Sequence, residues 1–178
     1  MQEINLPTDE EGHYFGANAT NMSYMFTDCN NLASIEINGK FGEKATDMSG
    51  MFQNCSSLMN FKPAQNSTFG QAATDMRKMF QYCENLKEVH LNSNFGGNAK
   101  IIFSMFQECH SLNYFDNNAS KFGTNVENMN NMFNSCFSLT ALDISNFVTP
   151  SYTVVDYNNY NGFLSNCQSL KQFKIGAS

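Results

Sequence analysis

The chain has 178 residues, 42% of them hydrophobic and 13% aromatic, enough for one domain with a substantial core or for one repeat array. Its formal charge of −6, with only ten Lys and Arg scattered along the chain, argues against nucleic acid, whose recognition needs clustered cations that release phosphate counterions. The start, MQEINLPTDEEGHY, has neither the basic n-region nor the apolar run of a signal peptide, and no stretch of 18 apolar residues occurs, so no membrane insertion is expected.

Residues 1–14 read as a lead-in, with Ile4 and Leu6 forming a capping strand. From residue 15 to 178 the chain reads as a single repeat solenoid. The octet MFTDCNNL at residues 25–32 returns as MFQNCSSL, MFQYCENL, MFQECHSL, MFNSCFSL and FLSNCQSL, which predicts about six repeats. Cys29, Cys55, Cys83, Cys109, Cys136 and Cys167 are 26, 28, 26, 27 and 31 residues apart, a solenoid period.

Within each unit, apolar residues stand seven, four and three positions before the cysteine, as in Met22, Met25 and Phe26 before Cys29. The i, i+3, i+4, i+7 spacing predicts one stripe of a short α-helix ending on the cysteine. Thr20-Asn21, Thr46-Asp47 and Thr74-Asp75 read as caps of its first turn. The fourth unit has Lys100-Ile101 there, so Asn98 is the expected cap.

Three residues past each cysteine begins L-x-x-Φ-x-Φ, where Φ is apolar: Leu32, Ile35 and Ile37 show it, as do Leu86, Val89 and Leu91. Its last positions alternate with period two and predict a short strand. The second unit departs, with Phe61 followed by Pro63, which should interrupt the ladder locally. A Phe-Gly pair then predicts a turn needing positive φ or close backbone approach, at residues 15–16, 41–42, 69–70, 95–96 and 122–123. An insertion near 147–162 lengthens the last unit, and Leu170, Phe173 and Ile175 form a final strand with little chain left to cover it. Lys171 and Lys174 there would discourage edge pairing, while the open end suggests end-to-end self-association.

Helices need about 8–10 Å between neighbours and strands about 4.8 Å, so an α/β solenoid with strands on the concave side and helices on the convex side is expected.

The run from T-D-M through M-F-x-x-C-x-x-L to the strand, over residues 15–175, resembles the BspA-like leucine-rich repeats of bacterial surface proteins and lipoproteins. The resemblance implies a right-handed leucine-rich-repeat solenoid that is exported and placed at the cell surface or secreted, with the cytoplasm as the alternative. Some members are implicated in adhesion to host proteins or other cells. It implies no enzymatic activity and transfers no binding residue.

The cysteines contain no C-x-x-C pair and none of the spacings of structural zinc, so they read as small buried hydrophobes rather than ligands, disulfide partners or nucleophiles. The methionines read as core. His13, His90 and His110 are dispersed, and no triad context is present, so no cofactor, metal or catalytic residue is expected. What varies is the outward side of the strands. Seven residues past the cysteines stand Glu36, Lys62, His90, Asp116, Asp143 and Lys174; two residues earlier the same columns hold Glu88 and Tyr114. These eight are the candidate face for a protein or peptide partner, with Tyr114, Asp116 and His90 as its first patch. The alternative is a structural spacer or self-assembling segment with no ligand of its own.

Overall fold

The computed structural model describes residues 2–6 (backbone), 15–119, 122–145, 147 and 161–175. His13, Tyr160 and most of the insertion near 147–162 lie outside them.

Short parallel strands recur along the chain: β1 (Gln2–Leu6), β2 (Leu32–Ile37), β3 (Lys40–Phe41), β4 (Asn60–Phe61), β5 (Thr68–Phe69), β6 (Glu88–Leu91), β7 (Tyr114–Asn117), β8 (Ala141–Ile144) and β9 (Gln172–Ile175). Within each ladder the strands pair parallel with their equivalents one unit on: β1 with β2, β4 with β6, β6 with β7, and β8 with β9. The inward residues Ile35, Phe61, Val89, Phe115 and Leu142 are buried, as the period-two reading requires. β4 stops after two residues, next to Pro63, whereas β6 runs for four. β3 and β5 form a second ladder that carries the Phe-Gly corner.

The helix expectation is overturned. Among the described residues there is no helix. The octet is instead a chain of turns with left-handed residues five and one positions before each cysteine: Tyr24 and Asp28, Gly50 and Asn54, Lys78 and Tyr82, Ser104 and Glu108, Asn131 and Ser135, Gly162 and Asn166, with φ between 53° and 66°. The cysteine N–H closes each turn on the carbonyl three residues back, as from Cys55 to Phe52 at 3.1 Å. Two consecutive four-residue turns bring positions −7, −4, −3 and 0 to one side. They therefore imitate the apolar spacing of a helix.

Spacing between units shows why a helix does not fit. Phe26, Phe52, Phe80, Phe106 and Phe133 stack with successive ring centroids 5.4 Å apart. The corner rings Phe41, Phe69 and Phe95 stack at 5.1 and 5.3 Å. Neighbouring units thus lie close to one strand spacing apart on the turn side as well as on the strand side, closer than two helices can approach. The difference in spacing that was to put strands on a concave side is absent.

Backbone groups of the turn arc are paired across units, as burial demands. Met48, Gly50, Phe52 and Asn54 donate to the carbonyls of Asp75, Arg77, Met79 and Gln81 at 2.8–2.9 Å. The expected helix caps serve this arc differently. Asp47 Oδ1 accepts the N–H of Ser49 two residues on, and Asn21, Asp75 and Asn128 do the same in their units. Asn98 is not a cap: its amide donates to the Gln71 carbonyl of the preceding unit. At the corner, Gly70 has φ +57°, and a Cβ there would stand 2.4 Å from Met48 Sδ, so both conformation and space call for glycine.

Cys55, Cys83, Cys109 and Cys136 are buried, Cys167 is half-buried, and Cys29, in the first described arc, is exposed. All six are free thiols. The Cys83 thiol donates to the Phe52 carbonyl of the unit before, at 3.1 Å, and Cys55, Cys109, Cys136 and Cys167 repeat the contact. A small side chain that packs like a hydrophobe yet carries one weak donor suits this position.

Candidate interaction face

Alternation along the strands sets every other side chain outward, and parallel register lines these up across units. Asn60, Glu88 and Tyr114 form one row, since Asn60 pairs with Glu88 and Glu88 with Tyr114. The row beside it holds Lys62, His90 and Asp116, with His90 opposite Asp116. The register thus places Tyr114, Asp116 and His90 together: the His90 and Tyr114 rings lie 4.9 Å apart, and His90 Nδ1 is 3.8 Å from the Asp116 carboxylate. On its other side, His90 Nε2 stands 3.2 Å from Glu88.

Of these side chains Lys62, His90 and Asp116 line a cleft of about 600 Å³, together with Pro63, Ala64, Gln65, Leu91, Asn92, Ser93 and Asn118. Its charge is divided. The Lys62 ammonium stands on one wall, while Asp116 stands on the other with Glu88 behind His90. Asn118 donates to Asp116 at 2.6 Å and fixes that carboxylate. Tyr114, 47% exposed, stands against His90 outside the cleft lining. Below, Asn92 donates to the carbonyls of Ala64 and Ser67 and to the Ser67 hydroxyl, so the floor is held rigid.

Five of the eight sequence-predicted residues do not line this cleft: Glu88 and Tyr114 adjoin it through His90, and three lie farther away. Glu36 stands on β2 and accepts from Asn38. Asp143 and Lys174 pair with each other at 2.9 Å across β8 and β9. The Asp143 carboxyl is lowered to about 2, first by hydrogen bonds from Ser145 and then by Lys174, so it is already committed. The cleft residues that the sequence reading missed, Pro63 to Gln65, Asn92, Ser93 and Asn118, follow the strands. Asn92 and Asn118 both stand nine residues past a cysteine, and that shared column was the available signal.

The arrangement can hold a side chain or extended segment by hydrogen bonds, charge and ring contact. Among the described residues no group of three His, Cys, Asp or Glu is placed to hold a metal ion, and no helix is long and apolar enough to cross a membrane.

Parallel strands stacked one per unit, with an apolar interior and a recurring leucine at the start of each strand, define a leucine-rich repeat solenoid. A solved leucine-rich repeat protein from Bacteroides ovatus ATCC 8483 shares this fold, with TM-score 0.50 and 17% identity over 98% of this chain and 45% of that one. A leucine-rich cell surface protein from Faecalibacterium prausnitzii A2-165 aligns with TM-score 0.46 and 16% identity over 99% of this chain and 32% of that one. The chain spans less than half the length of either. It belongs to the family described as Mycoplasma protein of unknown function, DUF285, which matches residues 12–93 and 46–174. No curated protein matches it.

Proposed function

We propose that this protein is a non-catalytic interaction module of a bacterial cell-surface or secreted protein, and that it binds a protein or peptide partner through its strand face. The observation that carries this reading is the cleft at Lys62, His90 and Asp116. It opens on the face whose residues differ from unit to unit, while the inward residues of the same strands repeat as core. A rigid scaffold with a variable face is how repeat arrays present binding surfaces. The BspA-like character of the octet supports a surface or secreted location.

Tyr114→Ala and Asp116→Lys test it. Both residues keep solvent access, so the melting temperature should change little. Affinity for a partner isolated with the wild-type protein should fall about tenfold or more, the effect of losing a central aromatic or charged anchor. Titration calorimetry with wild type and both variants gives the answer, and unchanged affinity for variants across the whole strand face would refute the proposal.

A further inference from the structure

The cleft on the strand face keeps opposite charges apart, whereas elsewhere on the molecule they meet. Lys40 pairs with Glu43, Lys100 with Glu127 and Lys174 with Asp143, at 2.9–3.2 Å. On the cleft wall the Lys62 ammonium has no hydrogen bond or ion pair among the described residues. Glu36, one unit before it in the same column, lies outside the cleft lining and accepts from Asn38. On the far wall Asp116 accepts from Asn118, and Glu88 stands against His90. Neither carboxylate is paired with a lysine or arginine among the described residues.

Between the two walls the lining is neutral. The Gln65 amide and the Ser93 hydroxyl, both exposed, bond to no other group among the described residues, so each can donate to a carbonyl of a ligand.

Spacing limits what can bridge the walls. Lys62 and Asp116 belong to units two apart, and two strand spacings of about 4.8 Å set their places on the sheet roughly 10 Å apart. In a β-strand, residues three apart span about that distance but point to opposite faces. In an α-helix, neighbours three or four apart share a face but lie only about 5–6 Å from each other. In polyproline II, with three residues per turn and a rise of about 3.1 Å, residues i and i+3 share a side and stand about 9 Å apart. That conformation has no internal backbone hydrogen bonds, so its carbonyls are available to Gln65 and Ser93.

Resting on the reading of the strand face as a protein-binding surface, we infer that the cleft takes a polyproline II segment of the partner that carries one acidic and one basic side chain three residues apart. The acid sits at Lys62 and the base at Asp116, with Glu88 adding its charge from beside His90.

NMR titration of the labelled protein tests this with three peptides. They are acetyl-Gly-Glu-Pro-Pro-Lys-Gly-amide, the same peptide with lysine in place of glutamate, and the same with glutamine at both charged positions. The first should bind wild type about tenfold more tightly than the doubly basic peptide, because an exposed ion pair at Lys62 gives way to repulsion. It should shift the amides of Ser93 and Asn118. Lys62→Glu, at an exposed position, should reverse the order of these two peptides. Equal affinities for the first and the neutral peptide, an unchanged order with Lys62→Glu, or no binding of any peptide would each overturn the inference. Binding of a partner by the strand face is judged separately, by the calorimetry of Tyr114→Ala and Asp116→Lys, so the two can fail independently.

Discussion

Replacing Phe61 by alanine is expected to destabilise the protein by about 3–5 kcal/mol, the range for emptying a large aromatic site in a packed core. Phe61 is fully buried on the short strand β4. Its ring meets Phe52 at 6.1 Å, Phe80 at 4.8 Å, Phe69 at 5.4 Å and Phe95 at 5.9 Å between centroids. Phe52 and Phe80 belong to the turn-arc stack and Phe69 and Phe95 to the corner stack, so Phe61 is the wedge that joins them. Phe52, Phe80 and Phe69 are themselves stacked at both faces, and Phe95 meets Phe69 face to face and Phe122 edge-on, so none can collapse inward without breaking those contacts. At this chain length the loss corresponds to a fall in melting temperature of roughly 10 °C or more. Phe173→Ala is the matched control, with the same chemistry at the same column but a 46% exposed ring, and should cost about 1 kcal/mol or less. Similar losses for the two variants would mean that the stacks are not the core.

Alkali should unfold the protein through its cysteines. Burial pushes the Cys55 thiol up to about 12, and it holds Cys83, Cys109 and Cys136 well above 9.0, with the neighbouring thiol adding to the effect in each case. A thiol raised on folding contributes stability that is present below its unfolded value and lost as pH rises toward its folded one. Each buried thiol therefore costs stability as pH rises above 9, and the four losses act in the same direction. Unfolding should therefore set in on the alkaline side of pH 9, below the folded value of Cys55 near 12. Circular dichroism against pH measures the midpoint. Cys83→Ala with Cys109→Ala should flatten the loss of stability per pH unit above 9, because two of the four titrating groups are gone. Equal slopes for variant and wild type would assign the alkaline transition to other groups.

Much of this was legible in the sequence, for physical reasons. The strand segments announce themselves because a period of two is produced by little else, so the outward rows holding Glu88 and Tyr114, then Lys62, His90 and Asp116, followed from spacing alone. The Phe-Gly corners were legible because glycine at a recurring position marks a left-handed turn. The turn arc was misread because apolar periodicity reports which positions share a side, not which backbone puts them there. Asn54, Asn131, Asn166, Asp28, Gly50 and Gly162 do carry the signature of left-handed conformation. Tyr24, Lys78, Tyr82 and Glu108 hide it, being residue types that seldom adopt positive φ. The cleft was half legible: its strand residues lie in the variable columns, whereas Pro63 to Gln65 follow the strand, where no periodicity guides a reading.

The octet as a stacking device made of left-handed turns, which leaves binding to the residues that do not recur, has a direct test in the backbone itself. Residues with φ near +60° hold their own amide and Hα protons unusually close. NMR of the labelled protein should show strong intraresidue HN–Hα contacts at Tyr24, Asp28, Lys78, Tyr82 and Glu108. Contacts from the amide of Phe52 to residues around Met79 in the next unit should accompany them. Weak intraresidue contacts at these five positions, with an unbroken run of sequential amide contacts and Hα(i)–HN(i+3) contacts from Met76 to Cys83, would show a helix and contradict it.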